Sequence, residues 1–184
     1  MVSDGTHGEV DAGGLLAGRG ACLPLHVPTE AVHIGESELI GESELPFVDL
    51  GDGTLLQLLH VDLGAGLWVV RVRFPPDRVI ERHHHTGSVF AVTFSGTWWY
   101  AEYPDPVNTT GSYLFAPAHS VHTLTVGDDG ADVWFAINGA NIGLADDGSI
   151  TGVTDARSVL SSYVALCEAA GFDHSRILVL GRSD

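Results

Sequence analysis

The sequence predicts an all-β domain closed by one C-terminal helix, and three observations carry that prediction. Short runs rich in β-branched and aromatic residues recur from Phe47 onward, separated by clusters of Gly, Asp and Pro. Residues 67–74 alternate strictly: Leu67, Val69, Arg71 and Arg73 share one face, Trp68, Val70, Val72 and Phe74 the other. Only near the end does the period become helical, at Val159, Leu160, Tyr163, Val164, Leu166 and Cys167. Many short strands at this spacing imply a sandwich or barrel.

Residues 1–30 read as a loosely packed N-terminal arm, rich in Gly and Ala with no sustained period. A barrel is expected over 31–153. It begins with a short duplication, Gly35-Glu-Ser-Glu-Leu39 and Gly41-Glu-Ser-Glu-Leu45, too brief for a solenoid and read as an acidic loop or irregular edge. Residues 55–62 form a strand, 67–74 the next, and Pro75-Pro76-Asp77 stops it. Residues 89–94 and 97–103 read as a hairpin about a turn at Ser95-Gly96, ended by Pro104-Asp105-Pro106. Strands follow at 112–116, 122–126, 131–138 and 141–145, with turns at 127–130 and 146–148. Thr154-Asp155 starts the helix and Gly171 stops it. With the apolar tail 177–180 as an edge contact, 154–184 pack on the barrel or on a neighbouring subunit.

Composition narrows the function. With 24 acidic against 8 basic residues the formal charge is −16, which repels phosphate backbones and anionic lipid and argues against nucleic-acid and membrane partners. The N-terminus lacks the basic and apolar regions of a secretion signal, so the cytoplasm is expected. Cys22 and Cys167 are far apart and form no Cys-x-x-Cys, so any metal must sit on histidine and carboxylate. Uncovered sheet edges favour a homodimer or homotetramer.

The histidines supply the chemistry. His83, His84 and His85 are consecutive, and on a strand His83 and His85 point one way and His84 the other. If strands bring the segment holding His122 alongside, three imidazoles converge as ligands for a divalent transition metal. Imidazole alone does not choose among Fe(II), Zn, Ni, Co, Mn and Cu. His119 reads as a loop residue or a substrate-side acid/base, and His60 as a core residue or one behind the ligands.

These residues resemble the cupin family. Its first motif, Gly-x5-His-x-His-x(3,4)-Glu-x6-Gly, is met at His83, His85 and Gly96, with Asp77 at the leading Gly and Val89 at the Glu. Its second, Gly-x5-Pro-x-Gly-x2-His-x3-Asn, is met at Gly111, Pro117 and His122, with His119 for the Gly and Val126 for the Asn. The resemblance implies a double-stranded β-helix (jelly-roll) barrel. Ser95-Gly-Thr-Trp-Trp-Tyr-Ala-Glu-Tyr103, Ser120-Val-His-Thr-Leu124 and the C-terminal helix further resemble the 2,4'-dihydroxyacetophenone dioxygenase-like cupins, related to acetylacetone-cleaving cupins.

That resemblance implies a non-haem iron dioxygenase that cleaves a carbon–carbon bond beside a ketone, with His83, His85 and His122 as ligands. The expected substrate is a hydroxyketone or β-diketone, an aromatic hydroxyacetophenone favoured, together with dioxygen. Glu102 stands at the group's carboxylate position and is a candidate fourth metal ligand; by period two it shares a face with Trp98 and Tyr100, and a metal would offset its burial, with a place behind the ligands or an exposed strand-end charge as its alternatives. Candidate bases are Glu102, His119 and Tyr100. Trp98, Tyr100, Phe90, Phe115 and Trp134 are candidate pocket aromatics, with barrel core as their alternative. Two other readings fit a cupin: a zinc-binding sensor domain resembling the anti-sigma-factor cupins, and a non-oxidative isomerase or hydrolase.

Overall fold

A computed structural model describes residues 37–181; the expected arm over 1–30 and the start of the first Gly-Glu-Ser-Glu-Leu copy lie outside them. Eleven strands form one curled sheet: β1 Val48–Asp49, β2 Leu55–Asp62, β3 Leu67–Phe74, β4 Val79–His85, β5 Val89–Tyr100, β6 Tyr103–Asn108, β7 Tyr113–Ala116, β8 Val121–Asn138, β9 Asn141–Leu144, β10 Ile150–Thr154 and β11 Leu178–Leu180. The spatial path is β1-β2-β3-β8-β4-β9-β10, with β5 also on β8, β6 and β7 on β5, and β11 on β2.

β8 is the spine. Its first part pairs with β4, from Val121↔His84 to Thr125↔Val79, and its second with β3, from Ala131↔Phe74 to Asn138↔Leu67. β5 runs antiparallel along both parts. One strand thus hands its partners from one half of the barrel to the other, and the sheet curls around a core that includes Leu58, Val61, Val70, Ala91, Trp98, Val126 and Val133. This is the all-β cupin barrel that the motifs imply.

Two expected turns are instead bends within strands. Ser95-Gly96 lies inside β5, with register shifts at Thr93/Ser95 and Gly96/Trp98, and residues 127–130 lie inside β8. Gly96 and Gly130 have φ of 76° and 72°. A Cβ on Gly96 would stand 2.0 Å from the Gly130 carbonyl oxygen. The glycines therefore serve a bulge in which two backbones nearly touch, and a bulge selects the same residue as a turn. The hairpin turn is at Ala101 and Glu102, beyond the expected site, and Pro104 and Pro106 sit in β6, an edge strand that among the described residues pairs only with β5. β10, with all five residues exposed, is a strand the pattern did not announce.

The second duplicated copy becomes a brace. Glu42 pairs with Arg71 at 2.7 Å and Arg73 at 2.9 Å, and Asp132 holds the same two guanidiniums at 2.7 and 3.0 Å. Leu45 is buried, and Gln57 Nε2 donates to the Glu42 and Leu45 carbonyls at 2.9 and 2.7 Å. The helix α1 spans Ala156–Ala170 and packs on β1, β2 and β3 of its own barrel through Ala156, Val159, Tyr163 and Cys167. Asp155 caps it, and Tyr163 Oη donates to the Pro46 carbonyl at 2.6 Å. β11 adds a parallel strand to β2 at Leu178↔His60. Among the described residues no helix is long and apolar enough to cross a membrane.

Candidate metal centre

The handover along β8 places the site. The β4–β8 register sets His83 directly opposite His122, and period two puts His85 on the face of His83. All three are buried, and one ring nitrogen from each lies within 4.8 Å of the others. Among the described residues this is the convergent set of potential metal ligands.

Neighbouring groups fix the tautomers. His83 Nδ1–H donates to the Glu81 carbonyl at 2.7 Å, and His85 Nδ1–H to Asn141 Oδ1 at 2.6 Å. Both rings therefore turn an Nε2 lone pair inward, the arrangement in which a protein orients metal-binding imidazoles. His85 Nε2 and His122 Nε2 stand 2.9 Å apart. Two nitrogens bound at right angles to one ion, each at about 2.1 Å, would be separated by about 3.0 Å. His122 Nδ1 is buried without a hydrogen-bond partner among the described residues. The donor set fits a first-row divalent ion.

Burial holds the three rings neutral. Loss of solvent pushes His122 down to about 3 and His85 to about 4, with neighbouring imidazoles adding to both shifts. His83 is also lowered by burial, opposed by its bond to the Glu81 carbonyl. Neutral imidazole is the form that ligates.

The centre opens on a cavity of about 170 Å³ whose wall is almost wholly apolar. Trp68, Val70, Val72 and Phe74 of β3, Phe135 and Ile137 of β8, Val89, Leu56, Ile80 and Leu124 line it. Among the described residues the polar lining is His83, His85, Asn141, Tyr100 and Thr54, with no arginine and no carboxylate.

Several expected site residues lie elsewhere. Glu102 is not on the inward stripe of Trp98 and Tyr100, because the strand ends before it; it sits exposed in the β5–β6 turn, its Oε2 accepting from Thr123 N–H at 2.9 Å. His119 is exposed and stacks on His84, ring centroids 5.5 Å apart, away from the three convergent nitrogens. Phe90 and Phe115 pack on each other outside the cavity lining, at 5.4 Å, and Trp134 lies opposite Arg71 on the outer face. In the first half of β5 the inward residues are Val89, Ala91 and Thr93, so Phe90 faces out. Trp98 is core, its Nε1 donating to Thr93 Oγ1 at 2.9 Å. Tyr100 does line the cavity, and burial raises its phenol far above the ordinary range, so it stays protonated. His60 is half-buried on β2 and outside the cluster.

Asn141 is the residue that sequence reasoning missed. It opens β9, whose pairing with β4 sets Asn141 opposite His85, and nothing local distinguishes it from a turn residue. The two positions where this chain lacks a motif glycine, Asp77 and His119, keep left-handed backbones with φ of 58° and 68°. The motif's geometry survives there without its residue.

Solved structures agree with the fold. A cupin-like protein of unknown function from Ralstonia eutropha superposes with TM-score 0.74 at 29% identity, covering 82% of this chain and 98% of that one. An RmlC-like cupin from the same organism gives 0.70 at 22%, covering 75% and 91%. An acetylacetone dioxygenase from Acinetobacter johnsonii gives 0.63 at 17%, covering 73% and 95%. No curated protein matches the chain. The ChrR cupin-like domain model matches residues 36–140, more than half the chain, and with the paired histidine motifs and the barrel it places this protein in that cupin family.

Proposed function

We propose that this chain is a non-haem, metal-dependent dioxygenase that cleaves the carbon–carbon bond beside a ketone in a β-diketone or hydroxyketone, with Fe(II) as its metal. The observation that carries the reading is three neutral imidazoles converging beside a mainly apolar chamber, with His83 and His85 in its wall. Bound there, Fe(II) would act as a Lewis acid and exchange electrons with dioxygen.

His83, His85 and His122 would hold the ion, with the Glu81 carbonyl and Asn141 fixing two of the rings. Three neutral donors leave the charge of a divalent ion unbalanced by protein, which favours a substrate that binds as an oxygen-chelating anion, an enolate. Among the described residues the chamber's wall offers no cation to hold a second anionic group, which favours a substrate whose remainder is apolar. Among the described residues no unligated base lines the chamber, which favours substrates that ionise readily over simple ketones. Tyr100, held protonated, is placed to donate a hydrogen bond into the chamber. Glu102 and His119 take no part in this account, since the turn and the outer face hold them. The similarity to an acetylacetone dioxygenase is one of fold and adds only that such a barrel accommodates this chemistry.

The test is metal analysis of protein purified without added metal, followed by oxygen-electrode assays of β-diketones and hydroxyacetophenones. Iron with oxygen uptake on these substrates is the expected result. Membership of the ChrR cupin-like family favours a second reading, a zinc-binding regulatory domain. Tight zinc with no turnover would establish that reading instead, and turnover without oxygen would point to an isomerase or hydrolase. The uncovered strand β10, with Ile150 and Val153 exposed, supports self-association as a homodimer or homotetramer.

A further inference from the structure

The chamber has one wall residue unlike the rest. Leu50 lines it and is also 45% exposed, whereas the other large apolar residues of the lining are buried or nearly so. A side chain that faces both cavity and solvent stands at the mouth.

Leu50 rides on a loop between β1 and β2 built to stand off from the barrel. Gly51 and Gly53 have φ of 95° and 83°. A Cβ on Gly51 would meet nothing within 4 Å, and one on Gly53 only the Pro75 ring, so these glycines serve the backbone rather than packing. The loop's hydrogen bonds are mostly its own: Asp49 Oδ1 accepts from Gly51 and Gly53, Asp52 Oδ1 from Thr54, and Leu50 N–H donates to the Thr54 carbonyl at 2.9 Å. One ion pair ties it to the barrel, Arg78 Nη2 to Asp52 Oδ2 at 2.5 Å. Arg78 is itself anchored, its carbonyl accepting from Val126 N–H at 2.9 Å. It lies two residues before Ile80, another wall of the chamber, and just before the strand that carries His83 and His85.

We infer that Leu50 is the gate of the chamber and sets the length of ligand it admits, and that the Asp52–Arg78 pair is the latch that holds it shut. The pair is one-third exposed on each side, so it is weak and screened by salt, as a latch that must release on each passage requires. The glycines let the loop swing without disturbing β2. The inference needs the chamber and not the ion, so it stands or falls apart from the dioxygenase reading.

Stopped-flow mixing of the purified full chain with acetophenone, a neutral aromatic ketone, followed by tryptophan emission, tests it. Asp52→Asn and Arg78→Gln are each expected to raise both association and dissociation rates by roughly two- to fivefold, the factor an exposed ion pair is worth. About 1 M NaCl should do the same to the native chain and little to either variant. The double exchange Asp52→Arg with Arg78→Asp should restore the slow rates, which separates a latch from loss of fold. Leu50→Ala should improve binding of butyrophenone relative to acetophenone. No saturable acetophenone binding by the native chain, rates unchanged in both single variants, salt sensitivity persisting in them, or unchanged selectivity in Leu50→Ala would each overturn the inference.

Discussion

The Tyr100 ring lies face-on over the His122 imidazole, centroids 3.6 Å apart and planes 18° from parallel. His122 is the one ligand candidate whose second nitrogen has no hydrogen-bond partner among the described residues, so its ring plane is held by stacking, whereas Glu81 and Asn141 also set the tautomer of the others. Tyr100→Phe keeps the stack and should leave metal affinity within a few-fold of native. Tyr100→Ala removes it and should lower affinity by roughly ten- to a hundredfold, the range for groups that orient ligands. Competition against a chromophoric chelator measures both.

Asn141 should matter to the metal although it donates no ligand atom. Its Oδ1 fixes the His85 tautomer at 2.6 Å. Asn141→Ala frees the ring to present the wrong nitrogen, and a loss of roughly ten- to a hundredfold in affinity is expected in the same competition assay. Unaltered affinity would show that the barrel alone orients His85.

Gly96→Ala should destabilise the fold by about 2–3 kcal/mol or more, since its Cβ meets the Gly130 carbonyl and the backbone stays at positive φ. Urea denaturation reads the loss as a lower midpoint. Had Gly96 been an ordinary hairpin turn in open space, the cost would be far smaller.

Asp77→Gly should do the reverse. Asp77 holds φ 58° at a position where the family motif has glycine. Relief of the left-handed backbone, less the extra entropy of an unfolded glycine, should stabilise by up to about 1 kcal/mol. The same urea titration decides the sign.

The helix cap gives a pH dependence. Asp155 accepts from Ser158 N–H at 2.8 Å and Arg157 N–H at 3.0 Å, and these bonds hold its carboxyl below the ordinary 3.8. A group whose folded pKa is depressed stabilises fully above its unfolded value and loses that contribution as pH falls through the folded one. Asp155→Ala should therefore cost about 1 kcal/mol at neutral pH and progressively less below about pH 4. Thermal melts of both proteins from pH 7 to pH 3 would show the two curves converging.

Much of this was legible in one dimension. His83 and His85 share a face because strand period is two, and the helix over Ala156–Ala170 announces itself by its cap, its apolar spacing and Gly171. Those are short-range rules, set by backbone geometry within a few residues. Glycine at 96 and 130 misled because turns and bulges demand the same positive φ, and only the partner strand distinguishes them.

Short-range patterning was enough for the all-β class, the closing helix, the His83/His85 pair and the acidic, cysteine-poor character. Tertiary structure alone decided that His122 faces His83 across β4 and β8, that Asn141 backs His85, that the inner face belongs to Trp68 and Phe135 rather than Phe90 and Trp134, and that Glu102 sits exposed in the β5–β6 turn. Alternation divides a strand into two faces but does not say which one the sheet curls around. That choice is made by long-range pairing along β8, where one strand exchanges partners and closes the barrel.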